Sequence, residues 1–315
     1  MTTEKTLQEA ENTVHIEGVI KEVRIEEDAL PDGRELIKGE IDIQVDENSV
    51  HTVNMFSFKL KKDKTISGLY KGIKTIKDEY KEGDKVRITQ GNVRLNEYIG
   101  QDDNLRSYPQ INSNFVNRVK EGEPFEPQAK FTFEMAVASV TEEVKNDEET
   151  GRAIIKGYIP IYGGSVIPFS VVVDNPAAVN YVTSNYEKGN TVSVHGDIVN
   201  QTIITKKEIE VGFGDPQEKI DRKTIREYVV KGGSAPYDED SNNAFDTELI
   251  KKALKDREKY IEEMKEKKKN KEKKNSSGGF GTNPFDTQND PFAPGNDPFS
   301  DDGKPIDISD DDLPF

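Results

Sequence analysis

Past the first dozen residues, apolar positions recur at every second residue in short runs. In "VHIEGVIKEVRI" Val14 and Ile16 fall out of phase with His15 and Glu17, and in "IKGEIDIQV" Ile41, Ile43 and Val45 alternate with polar neighbours. That is the period of a strand with one buried face. "VHTVNMFSF", "EGDKVRITQGNVRLNEYIG" and "LRSYPQINSNFVNRV" complete five strands, with a turn at "LPDGREL" and a short helix expected within "KDKTISGLYKGIKTIKDEY". The proline- and glutamate-rich "VKEGEPFEPQAKF" marks a boundary near residues 120–129. A second series follows through "FTFEMAVASVTEEV", "GRAIIKGYIPIYG", "SVIPFSVVV", the helix-like "NPAAVNYVTSNY", "KGNTVSVHGDIVNQ" and "KKEIEVGFG".

The two series read either as one motif used twice or as two unrelated β-domains. For the first reading, "EYKEGDKVRITQGNVRLN" resembles "NYEKGNTVSVHGDIVNQ", with Tyr80, Gly83, Val86 and Ile88 against Tyr186, Gly189, Val192 and Val194. The first copy has one extra residue before its next glycine, Gly91 against Gly196, as a β-bulge requires. Five short strands with a helix between the third and fourth predict a small Greek-key barrel of the OB type, whose second and third strands and two loops form a groove. The expected architecture is therefore all-β dominated. It has a flexible segment 1–12, one OB barrel at 13–121, another at 129–214, a mixed extension at 215–245 whose "REYVV" can add a strand to the preceding sheet, a basic helix at 246–274 and a disordered acidic tail at 275–315. Asp246 or Thr247 can cap the helix, and Leu249, Ile250, Leu254, Tyr260, Ile261 and Met264 cover one side of its first turns. Beyond Met264 only polar residues remain, so the end is expected to fray into a basic run, which reads either as a solvated helix end or as a DNA contact.

Composition narrows the function. Hydrophobic and charged residues each make up 33% of 315 residues, too few apolar side chains for a wholly packed chain. No apolar run approaches the roughly 20 residues of a membrane span, and "MTTEKTLQEAENTV" lacks the basic and apolar parts of a signal peptide. A cytoplasmic location is expected. The chain has no cysteine, which rules out disulfides, thiolate zinc sites and cysteine nucleophiles. His15, His51 and His195 are scattered among strand residues and read as strand or surface histidines. No cofactor or metal is expected. The net charge of −16 divides into −5 over 1–125, −9 over 126–250, +6 over 251–274 and −8 over 275–315. A mildly acidic domain can still present a basic groove.

The candidate chemistry is single-strand binding, which needs flat rings for bases and cations along the phosphates. Phe56 and Phe58 stand one strand period apart, and Lys59 and Lys61 follow, with Lys62 and Lys64. Arg87, Arg94 and Tyr98 lie on the fourth strand and Tyr108 beyond its loop. Arg152, Lys156, Tyr158, Tyr162 and Phe169 are the second-series equivalents. Phe56, Phe58 and Phe169 suit a barrel core equally well. Catalysis is not expected: the one dense carboxylate cluster, Asp301 to Asp312, sits in the tail, and neither a phosphate-cradling loop nor a serine elbow is present.

"GDKVRITQGNVRLNEYIGQDDNLRSYPQINSNFVNRV" resembles the fourth strand, loop and fifth strand of bacterial single-stranded DNA-binding proteins, and the closing "DDLPF" resembles that family's acidic tip. The resemblance implies barrels that bind single-stranded DNA by ring stacking and basic residues. Tyr98 matches a stacking aromatic after strand four, and Phe58 matches one on strand three less closely. It also implies a tip, Asp310, Asp311, Asp312, Leu313, Pro314 and Phe315, that recruits replication, recombination and repair proteins. A terminal aromatic ring with its carboxylate fits a pocket flanked by a cation. The "NPF" and "DPF" copies at Phe285, Phe292 and Phe299 serve either as weaker versions of the tip or as spacers. The second barrel, the basic helix and the missing tryptophan depart from the usual members. They leave a homo-oligomer open, and tandem barrels fit a phage or mobile-element protein by analogy. The alternative function is an OB-fold replication adaptor working mainly through protein contacts.

Overall fold

The computed structural model describes residues 6–209, 217–238 and 240–276, so the acidic tip and the Phe285, Phe292 and Phe299 repeats lie outside the described residues. Among those described, the chain is mostly β-sheet with three helices, none long and apolar enough to cross a membrane. The first series forms β1 (Asn12–Ala29), β2 (Glu35–Asp46), β3 (Ser49–Phe58), α1 (Gly68–Glu79), β4 (Lys85–Ile99), β5 (Leu105–Asn112) and the two-residue β6 (Asn117–Arg118). The second forms β7 (Gln128–Lys145), β8 (Glu148–Ile161), β9 (Ser165–Val173), α2 (Pro176–Asn185), β10 (Thr191–Ile209) and β11 (Gln217–Gly233), followed by α3 (Thr247–Ser276).

The pairings make two matching circuits. β1 runs antiparallel to β2 and β2 to β3; β3 lies parallel to β5, β5 antiparallel to β4, and β4 returns to β1. β7, β8, β9, β11 and β10 repeat the same sequence of partners, with the same single parallel step, before β10 returns to β7. β11 lies inside the segment expected as an extension at 215–245, and β10 is one continuous strand that includes "KKEIEVGFG" up to Ile209. The pairing of Asn12–Glu17 with Gln128–Phe133 joins the circuits into one sheet.

Strand alternation explains the core. Ile16, Ile20, Ile37, Ile41, Ile43, Val53, Val86, Ile88 and Val93 are at most 1% exposed, and α1 adds Tyr70, Ile73 and Ile76 from one face. In the second circuit Phe133, Phe169 and Tyr228 interlock with ring centroids 4.8–5.7 Å apart. The bulge expected ahead of Gly91 is present, since Val14 faces Gly91 while Ile16 faces Ile88. Gly196 is required by a close crossing: a Cβ there would stand 1.9 Å from the Val229 carbonyl oxygen. Asn175 caps α2 by accepting from the Ala177 and Ala178 amides at 3.0 and 3.2 Å, ahead of Pro176 at the first helical position.

His51 is a core residue, 1% exposed, with its Nε2 3.2 Å from the Ser49 Oγ. Burial pushes its pKa down to about 4. The folded state therefore binds fewer protons at this site than the unfolded chain, whose histidine titrates near the usual value of about 6.5. The contribution is complete above pH of about 6.5 and is lost on acidification toward 4, up to about 3 kcal/mol. Urea melts over that range should show the loss, and His51→Gln should flatten this part of the profile.

Candidate nucleic-acid interface

The outward positions of the first circuit carry the exposed rings. Phe56 is 48% exposed on β3, and Phe58 packs edge-on against it at 5.1 Å while the Arg34 guanidinium lies 4.9 Å over the Phe58 ring. Of these two rings, Phe56 presents the open one. On the β4–β5 hairpin Tyr98 is 42% exposed; its ring sits 5.9 Å from that of Tyr108, tilted by 34°, and the hydroxyls are 3.3 Å apart. Register places both groups on one outer surface. Asn54 stands beside Asn112, Arg94 beside Gln110 and Asn96 beside Tyr108, and the buried Val53, Val93 and Ile111 point the other way. Counting four residues down β5 and two up β3 separates Tyr108 from Phe56 by about 20 Å.

At the Phe56 end of this surface lies a groove of about 840 Å³, lined by Arg24, Lys38, Glu40, Asn54, Phe56, Gln110 and Asn112 among others; Gln110 is its residue nearest to Tyr108 along β5. Its cations are already engaged. Arg24 binds Glu22, Glu40 at 2.7 Å and Asp42 at 2.8 Å, and the hydrogen bond to Asp42 leads the causes that raise its pKa. Lys38 reaches Asp28 at 2.7 Å and Glu26 at 3.4 Å. This floor offers amide groups and a ring, with little free positive charge. Free charge lies outside it: Arg94 is exposed on β4 beside Gln110, and Lys61, Lys62 and Lys64 are exposed in the loop between β3 and α1, none with an ion pair among the described residues.

Several sequence-predicted residues have other work. Arg87 makes a two-pronged bond to Glu17, at 2.8 and 3.1 Å, and also donates to the Pro124 carbonyl at 2.7 Å. Glu17 is 3% exposed, and the Arg87 hydrogen bond leads the causes that lower its pKa. Arg87 therefore fastens the inter-series segment to β1. Arg152 is held by Glu227 and by Glu143 at 3.4 Å, so it is a structural cation. Tyr158 and Phe169 are each 2% exposed and belong to the core, which corrects the expected place of Tyr158 in the groove and, for Phe169, is the core reading of the two left open. Lys59 is tied to Glu35 at 2.8 Å. In the second circuit, Tyr162 projects at 84% exposure from the β8–β9 turn, and Lys156 is half-buried on β8.

Residues the sequence reading passed over also face this surface. Arg24, Lys38, Asn54, Gln110 and Asn112 occupy ordinary outward positions and look like solvated strand residues. Phe115, 49% exposed, sits next to Asn114, whose side-chain oxygen accepts the Phe56 amide at 3.0 Å. A third ring is thus brought to the Phe56 end. An aromatic in "NSNFVN" amid polar residues was the available signal. Among the described residues no group of three or more His, Cys, Asp or Glu could hold a metal ion.

No curated protein matches the chain. Two solved structures of the single-stranded DNA binding protein from Thermus aquaticus, one wild type and one a deletion mutant, resemble it. The wild-type comparison has TM-score 0.45 and 12% identity over 75% of this chain and 97% of the other. The mutant comparison has TM-score 0.46 and 11% identity over 74% and 98%. A family model matches residues 10–267, and on that match the chain belongs to the YorF family.

Proposed function

We propose that each circuit is an OB-type barrel and that the protein binds single-stranded DNA across the outer face of the first one. The observation that carries this reading is the placement of Phe56 and the Tyr98–Tyr108 pair on one outer surface, with the groove holding Phe56 and reaching Gln110, one strand period short of Tyr108. Rings separated by about 20 Å along strands can stack bases at both ends of a short segment, at the lower limit of about 4–16 nucleotides per barrel. The side-chain amides of Asn54, Gln110 and Asn112 lie between them. Arg94 and the lysines at 61, 62 and 64 supply the phosphate contacts, and Tyr162 extends the path on the second barrel. In the same reading the acidic stretch containing Asp310–Phe315 recruits partner proteins, as the resemblance implies.

A protein-docking adaptor is the second reading, and the carboxylates around Arg24 favour it, because Glu22, Glu40 and Asp42 repel phosphate. The two readings separate in an oligo-dT titration followed by tyrosine fluorescence at several salt concentrations. About four free cations at roughly −0.7 each predict a shallow slope of about −3 in log K against log salt. Quenching with that slope supports strand binding. Unchanged fluorescence and gel mobility at low salt would leave the adaptor.

A further inference from the structure

The basic helix is anchored to both circuits as far as Lys268. Its capping residue Asp246 accepts from the Glu248 and Leu249 amides at 3.0 and 3.3 Å, and Phe245, Ile250, Ala253 and Leu254 are buried where α3 packs on β9 of the second circuit. From there the less exposed positions continue at helical spacing through Arg257, Ile261, Met264 and Lys268. This stripe reaches the other circuit. Arg257 bonds Glu97 on β4, an ion pair whose side chains are only 15% and 14% exposed. Lys268 Nζ donates to the Gly100 carbonyl at 2.5 Å and to Asp103 at 2.8 Å in the β4–β5 turn. Glu97 also accepts from the Ser107 hydroxyl at 3.0 Å, so the contact grips both strands. Successive strand residues face opposite ways. The helix therefore touches the Glu97 side and leaves the Tyr98 side open.

We infer that α3 is a strap that fixes the β4–β5 hairpin to the second circuit, with Arg257 and Lys268 as positioning residues for the Tyr98–Tyr108 pair. A two-stranded ribbon alone holds its shape weakly in water. Strapped from behind, the hairpin keeps its rings in one pose against the groove and at one distance from the second circuit. The inference rests on the strand-binding reading above.

The test uses the full chain carrying Arg257→Ala with Lys268→Ala, alongside Arg257→Lys and Lys268→Ala alone. Hydrogen exchange over residues 94–110 is measured without DNA, and oligo-dT affinity and melting temperature in parallel. Freed to occupy its competent pose about a tenth of the time, the hairpin of the double variant binds dT about tenfold more weakly. Exchange over 94–110 rises, exchange in β7–β9 does not, and Arg257→Lys retains most of the affinity. If the double variant fails to fold, Lys268→Ala, which spares the buried pair, must show both effects in smaller measure. Unchanged exchange over 94–110, or unchanged dT affinity in a variant with raised exchange, overturns the strap. A wild-type chain that leaves dT unbound overturns strand binding itself, and is recognised before any variant is compared.

Discussion

Truncating Tyr98 and Tyr108 together to alanine is expected to weaken oligo-dT binding by about 30-fold or more while leaving the melting temperature nearly unchanged. Base stacking on an aromatic contributes about 1–3 kcal/mol per base, and two platforms lost together give at least about 2 kcal/mol. Both rings stand on the outer surface of the hairpin and meet each other there, so removal leaves little buried space. The single variants serve as a cycle. Because the hydroxyls lie 3.3 Å apart, each ring steadies its neighbour, and the two losses are expected to couple instead of adding. Tyrosine-to-phenylalanine changes at both positions keep the stacking faces and should retain most of the affinity. Equal loss from the phenylalanine and alanine variants would mean that hydrogen bonding, with stacking secondary, draws the strand.

The opposite signature is expected at Phe169. Its ring is 2% exposed and meets Phe133 at 5.2 Å and Tyr228 at 4.8 Å. Phe169→Ala opens a cavity in the second circuit and costs about 3–5 kcal/mol, enough to lower the thermal midpoint by many degrees. DNA affinity measured below the new midpoint should stay within about twofold, since the ring never reaches the surface and 1.4 kcal/mol would be needed for each tenfold change. Chemical denaturation of the two variants therefore separates what holds the fold from what meets the strand. A Phe169→Ala protein of normal stability but poor affinity would place that ring in the interface.

Most of the strands and all three helices were legible because their periods are strong: Ile41, Ile43 and Val45 alternate cleanly, and α1 repeats Tyr70, Ile73 and Ile76 on one face. Face assignment failed where both phases of a strand are apolar. In "GYIPIYG" the four residues Gly157 to Pro160 are all buried, so alternation could not tell Tyr158, inside, from Tyr162, outside. Of the last strand of the second circuit, only the closing "REYVV" is legible as an added strand. "KIDRKTIREYVV" is polar until its final turn into the core at Val229 and Val230, and its partner β10 supplies most of its pairing. Charge pairs at long separation leave no local trace. Glu17 and Arg87 are 70 residues apart, and Glu97 and Arg257 are 160 apart, so from sequence Arg87 reads as a free cation and Arg257 as a solvated helix position.

The central claim places a single strand on the outer face of the first circuit, between Phe56 and the Tyr98–Tyr108 pair. Photocrosslinking with oligo-dT carrying 5-iodouracil, followed by peptide mapping, tests it most directly. The account predicts crosslinks at Phe56, Tyr98 and Tyr108, diminishing as salt rises. Crosslinks confined to α3 or to the second circuit, with these three residues unmodified, would contradict it.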